Sequence, residues 1–233
     1  MSVTSLCNIS HIAAVRHFMH TGMWIGLCTQ MQVMRTIKKK PEQVGILILI
    51  AIFLLPVMAF SQVKMGSNST KVVIEGTSNI HDWIMTSNTG STSGTWTVDA
   101  AGVPLSLTNL SFIVNVTTLK SEKGSTMDNN AYKAMASDKY PAIKFSCTSA
   151  TIQNKGGNAF TVTAPGKLSI SSGTKDVTLV ANGKVNADKS LTLDGSYKLV
   201  TTDYNVKAIS IMLGAIKTSA NVNIKYSLTA KPQ

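Results

Sequence analysis

The sequence predicts an all-β domain of eight or nine antiparallel strands carrying one short helix. Three observations lead there. From Val72 to Leu228, apolar residues alternate with polar ones at a period of two, in run after run. The alternate positions are Ser, Thr, Asn and Lys, the composition of a wetted sheet face. Turn-forming clusters separate the runs: Asn88-Thr89-Gly90, Ala101-Gly102, Lys155-Gly156-Gly157-Asn158, Ser172-Gly173, Asn182-Gly183 and Ala187-Asp188.

Val72 and Ile74 open a first strand, and Trp96 and Val98 sit in another. In 111–117, Phe112, Val114 and Val116 share a face. In 142–148, Ile143, Phe145 and Cys147 do the same. Leu168 with Ile170, then Val177 with Leu179 and Ala181, continue the pattern. Leu191, Leu193, Tyr197 and Leu199 follow, with Gly195 in phase. The last run has Ala220, Val222, Ile224, Tyr226 and Leu228 on one face. One helix interrupts the strands. Ser125-Thr126-Met127-Asp128 resembles a capping box, Met127, Ala131 and Met135 recur at i, i+4 and i+8, and Pro141 ends the stretch. Eight antiparallel strands with one apolar face close into a barrel or stack as a sandwich, and periodicity does not choose between them.

The chain has 233 residues, 22 Lys+Arg and 11 Asp+Glu. At 44% hydrophobic it is too apolar for a disordered chain. Its glycines have no triplet period, its three cysteines make no disulfide framework, and one apolar run excludes a multi-span transporter. Residues 34–61 read as a secretory signal. Met34-Arg35-Thr36-Ile37-Lys38-Lys39-Lys40 is a basic start, Val44–Leu55 an apolar core of 12 residues, and Pro56 a breaker. Ala59 and Ser61 supply small residues for cleavage near Ser61/Gln62, so the expected location is periplasmic or secreted. The competing reading is an uncleaved anchor over Val44–Phe60. Residues 1–33 precede the basic start, and the expectation is that Met34 is the true first residue. Cys7, Cys28, His11, His17 and His20 match no zinc spacing.

Residues 62–233 form the expected mature domain. Without the five basic residues and one acid ahead of it, it keeps 17 lysines and 10 acids, a net +7, with no arginine. Nucleic-acid readers lean on the bidentate guanidinium, and these lysines are scattered, so no nucleic-acid partner is expected. A transient contact with an anionic membrane surface is the one use of the charge kept. The domain has one Cys, Cys147, in the apolar phase of its strand, and one His, His81. Any nucleophile–base set would have to run through His81, Gly-x-Ser-x-Gly is absent, and Asp194 and Asp203 sit near turns as solvated acids. No enzymatic activity, metal or cofactor is expected.

Several stretches resemble the YceI-like family, bacterial lipid- or polyisoprenoid-binding proteins with a lipocalin-like barrel. They are Gly76-Thr77-Ser78-Asn79-Ile80-His81-Asp82-Trp83, Met127-Asp128-Asn129-Asn130-Ala131-Tyr132, and Asp138-Lys139-Tyr140-Pro141-Ala142-Ile143-Lys144-Phe145. Gly166–Ile170 with Gly173–Val177, Thr202-Asp203-Tyr204-Asn205-Val206, and Met212–Lys217 continue the match in family order. Asn205 stands where a glycine is common, and Asn tolerates positive φ next best. Arginines frequent in the family are missing, which disfavours a pyrophosphate head and favours a neutral or fatty ligand.

The resemblance implies an eight-stranded antiparallel lipocalin-like barrel over 62–233, holding a hydrophobic lipid such as an isoprenoid or fatty acyl chain. The expected wall residues are Phe112, Val114, Ile143, Phe145, Leu168, Ile170, Val177, Leu179, Leu193, Tyr197, Leu199, Val222, Ile224 and Tyr226. Met127 and Met135 would form an adaptable lid. His81 and Trp83, at i and i+2, would share a strand face at the mouth. The alternative is a ligand-free structural or protein-interaction β-domain at the cell envelope, in which the same side chains are plain core. The sequence does not give the oligomeric state.

Overall fold

The computed structural model describes residues 60–211 and 215–233. Residues 1–59, with the expected extension 1–33 and most of the expected signal segment 34–61, and residues 212–214 of the last family-like stretch lie outside the described residues. The strands are β1 (Ser61–Ser78), β2 (Asp82–Val98), β3 (Pro104–Asn115), β4 (Lys120–Ser121), β5 (Ala142–Gly156), β6 (Ala159–Ile170), β7 (Gly173–Val185), β8 (Leu191–Val200), β9 (Ser210–Ile211) and β10 (Ile216–Pro232). Helix α1 spans Ser125–Ala134, and 3-10 turns cover Val116–Thr118 and Thr201–Tyr204.

Neighbours run β1-β10-β8-β7-β6-β5-β3-β2, and β1 pairs again with β2. The sheet therefore closes on itself as an eight-stranded antiparallel barrel, the choice that periodicity left open. The two-residue strands β4 and β9 are appendages on β2 and β10. The alternation gives each strand one buried face, and these faces meet in a single apolar core.

Several glycines are set by space. A Cβ at Gly183 would overlap the ring of Phe160, its direct partner across β6–β7. A Cβ at Gly195 would meet Tyr226, one at Gly76 would meet Trp83, and one at Gly166 would meet Phe145. The barrel thus packs large rings over the bare backbone of an adjacent strand, small against large. Trp96 and Phe160 meet edge to face, centroids 6.3 Å apart, and close the end where Ser61 and Pro232 lie.

Two expected turns are strand. Asn88 and Thr89 are both exposed inside β2, so Asn88-Thr89-Gly90 is a bulge in a continuous strand. Asn182-Gly183 lies within β7, where the glycine serves Phe160. The turn at Gly156-Gly157 is as expected, with φ of +93° and +58°. Asn205 adopts the left-handed conformation at φ +59°, and its Nδ2 donates to Ser172 Oγ at 3.1 Å. The capping box does not form. Gly124 occupies the N-cap, and the Asp128 carboxylate turns away to accept the Ser121 N–H at 2.7 Å.

Gly183→Ala is expected to destabilise the domain by about 1–3 kcal/mol, because the buried Phe160 ring is wedged against Trp96 and cannot yield. The neighbouring exposed Asn182→Ala should stay within about 0.5 kcal/mol. Urea denaturation of the two variants checks the contrast.

Candidate functional site

The buried faces do not fill the barrel. A cavity of about 110 Å3 occupies its middle, and a second of about 80 Å3 lies at the helix end. Both far exceed the roughly 10–15 Å3 that one water needs. Ile74 of β1, Ile143 of β5 and Ile224 of β10 line both, so the two chambers adjoin at a girdle of three isoleucines.

The central chamber takes its walls from all eight barrel strands. Phe112, Val114, Phe145, Leu168, Leu179, Leu193, Tyr197 and Tyr226 line it together with Ile143 and Ile224. The end chamber takes Ile170, Leu199 and Val222, again with Ile143 and Ile224. Val177 is buried in the core and lines neither chamber. The strand parity thus brings together all but one of the expected wall residues. Among the described residues, none lining the central chamber carries a carboxylate, ammonium or imidazole. Its environment favours apolar matter and penalises charge.

Helix α1 covers the end chamber with Ala131, Ala134 and Met135. Polar contacts fasten the helix to the chain before it. The Tyr132 hydroxyl lies 2.6 Å from the Leu119 carbonyl and 2.9 Å from Lys120 Nζ, which donates to it. Buried Asp128 accepts the Ser121 N–H and pairs with Lys120 at 3.5 Å. Met127 lines neither chamber; its sulfur accepts a hydrogen bond from Ser121 Oγ at 3.1 Å. The two methionines therefore sit in different surroundings, and only Met135 faces a chamber. Thr201, Lys207, Thr218 and Ser219 give the end chamber a polar rim.

His81 and Trp83 are not brought onto one strand face. His81 lies in the turn before β2, exposed, with ring Nδ1 3.0 Å from the Asp82 carbonyl. The turn is pulled out of the strand by Asn79, whose side chain donates to the Ala215 carbonyl and accepts the Lys217 N–H. Trp83 lies over Gly76, donates its indole N–H to the Thr77 carbonyl at 3.2 Å, and lines the end chamber.

Sequence reasoning missed part of the wall. Thr70 and Thr92 face the central chamber, as do Met65, Leu107, Val162 and Ala164. Thr70 keeps the inward phase of Val72 and Ile74, and Thr92 that of Trp96 and Val98, but a search for apolar alternation passes over polar side chains, and the bulges at Asn68-Ser69 and Asn88-Thr89 break the phase beyond them. The period-two count back from Val72 and from Trp96 was the available signal.

Cys147 is buried, and burial raises its thiol pKa, so it is an inert thiol. Among the described residues, no group of His, Cys, Asp or Glu is arranged to hold a metal. Tyr226, on the central chamber, and Tyr204, on the end chamber, are each pushed up to about 12, mainly by burial. Tyr204 is raised further by Tyr197 and Asp203.

A family model described as "YceI-like domain" matches residues 62–230. No curated protein matches the chain. Among solved structures, BcnA of Burkholderia cenocepacia is similar at TM-score 0.50 and 19% identity, covering 70% of this chain and 96% of that one. A polyisoprenoid binding domain from Saccharophagus degradans, implicated in plant cell wall breakdown, is similar at TM-score 0.53 and 8% identity, covering 76% and 99%. At these identities the likeness shows a shared fold.

The tyrosine shifts carry a pH prediction. An unfolded tyrosine loses its proton near pH 10, whereas Tyr204 and Tyr226 hold theirs to about 12. Above pH 10 the unfolded state binds fewer protons, so stability should fall as pH rises through that window. Absorbance titration at alkaline pH should show these two of the five tyrosines ionising only as circular dichroism reports unfolding.

Proposed function

The chain belongs to the YceI-like family, and on that premise we propose that it is an exported lipid-binding protein that holds an isoprenoid or fatty chain in the barrel interior. The observation that carries this reading is the pair of adjoining apolar chambers, walled by all eight barrel strands and rimmed with polar groups at the helix end. An apolar chain entering them leaves water, worth about 0.8 kcal/mol per buried CH₂. About ten methylenes would gain several kcal/mol after the cost of ordering the chain. The polyisoprenoid-binding description of the similar Saccharophagus domain supports the same ligand class.

In this reading the chain residues bind and shield, and none reacts. Phe112, Phe145, Leu168, Leu179, Leu193 and Ile224 supply contact area in the central chamber, and Ile170, Leu199 and Val222 do so at the helix end. Trp83 and Met135 hold the part of the ligand nearest the rim, and Lys207 supplies a cation there. The absence of arginine from 62–233 favours a neutral or fatty ligand over a pyrophosphate. Export rests on the basic start, apolar core and small-residue site of 34–61. Because β1 begins at Ser61, cleavage before Gln62 would leave the barrel's first strand whole but for one residue.

Native mass spectrometry of the exported protein, purified without detergent and followed by solvent extraction, tests the reading. The expected result is a mature mass starting at Gln62 with one lipid adduct. A bare mass that stays unchanged after exposure to a membrane extract would favour a ligand-free β-domain. Leu179→Trp separates the same two readings: filling a ligand chamber keeps the fold and removes the adduct, whereas overpacking a solid core costs about 1–3 kcal/mol. Retention of both fold and lipid would show that Leu179 is no part of the site.

A further inference from the structure

The central chamber is apolar except for a few hydroxyl groups, and two of these face each other. Thr70 Oγ1 lies 2.8 Å from Thr92 Oγ1. Thr70 is fully buried and Thr92 is 8% exposed. Each hydroxyl carries one proton and two acceptor sites. Their mutual bond uses one of the two protons. Among the described residues no other hydrogen bond is made by either hydroxyl, so one O–H donor is left over in an apolar chamber. A plain core would place two valines here, with the same shape and no unpaired donor.

The local backbone is built around this pair. β1 slips register against β2 between Ser67 and Thr70 and against β10 between Gly66 and Lys71, leaving Asn68 and Ser69 exposed, with Thr70 inward in the phase of Val72 and Ile74. The Ser69 N–H bonds to Ser67 Oγ at 3.3 Å and holds the bulge. β2 carries its own bulge at Asn88-Thr89, directly before Gly90. A Cβ at Gly90 would lie 2.8 Å from the Thr70 carbonyl and 3.0 Å from the Phe112 ring, so the glycine makes room for both. The two bulges set the register in which Thr70 pairs with Gly90 and its inward hydroxyl meets that of Thr92.

We infer that the Thr70–Thr92 pair is a hydrogen-bonding station for an oxygen on the bound chain. The inference rests on the lipid-binding reading and narrows its ligand class to an apolar chain bearing an uncharged acceptor oxygen, such as a carbonyl or ether. One donor satisfies one acceptor. A charged head is excluded from this position because the chamber offers no counter-charge. The station lies in the central chamber, so the oxygen sits inside the barrel and not at the rim that Lys207 lines.

The test compares two radiolabelled chains of similar length, methyl palmitate and octadecane, in equilibrium binding to delipidated protein. Wild type should prefer the ester by about tenfold, the worth of one hydrogen bond in an apolar site. Thr70→Val/Thr92→Val should bring the two affinities together while octadecane binding stays unchanged, and Thr70→Ser/Thr92→Ser should keep the preference. A preference that survives in the valine pair, or a wild-type protein that binds octadecane equally well, overturns the station and leaves lipid binding intact. Binding of neither chain overturns the lipid-binding reading itself and the station with it. Should the valine pair fail to fold, infrared spectroscopy of methyl palmitate bound to wild type decides. A carbonyl band lowered from its value in alkane solvent supports the station, and an unshifted band overturns it.

Discussion

Closure by β1 is the constraint on which the rest of the structure depends. This strand pairs with β2 on one side and with β10 on the other. It joins the start of the domain to its end and removes both edges of the sheet at once. A shared first strand forces every apolar face inward around one axis. A sandwich made from the same strands would leave β1 free on one side and would collapse the interior into a flat, solid layer.

Long strands bring their own demand. β1 and β2 exceed the usual strand length, and a strand that winds round a small barrel must twist more than a regular ladder allows. Bulges relieve that demand by adding one residue on the outside. The consequence is chemical as well as mechanical, because each added residue reverses which side chains face in. Thr70 and Thr92, in the inward phase of Val72 and Trp96, face an interior that is otherwise apolar.

The interior is filled unevenly. Rings lie over glycines at Gly76, Gly166, Gly183 and Gly195, where a side chain would collide with them. At the end near Ser61 and Pro232 this packing is tight, with Trp96 against Phe160 and Leu191 fully buried. Around Ile74, Ile143 and Ile224 the opposing walls stop short of each other and leave space. The helix end is closed by polar fastening of α1 through Asp128 and Tyr132, while the hydrophobic side of the helix faces the chamber. One end thus has the character of a core and the other that of a cover.

The sequence by itself determined the strand faces, the position of the helix and the apolar identity of the wall. A period of two is local: burying Phe145 and Leu168 while wetting Lys144 and Ser169 needs only alternating side-chain directions. The left-handed Asn205 was legible for the same reason, since positive φ is a property of one residue. Tertiary structure alone decided what depends on distant partners. Whether Asn88-Thr89-Gly90 turns or bulges depends on β1 continuing alongside it. His81 left the strand because Asn79 is tied to residues 215 and 217, far away in sequence. Asp128 capped no helix because the Ser121 N–H offered it a buried bond. Val177 missed the chambers and Thr70 entered them because a cavity is the gap between opposing walls. Its shape is set by how eight strands meet, and no single strand contains it.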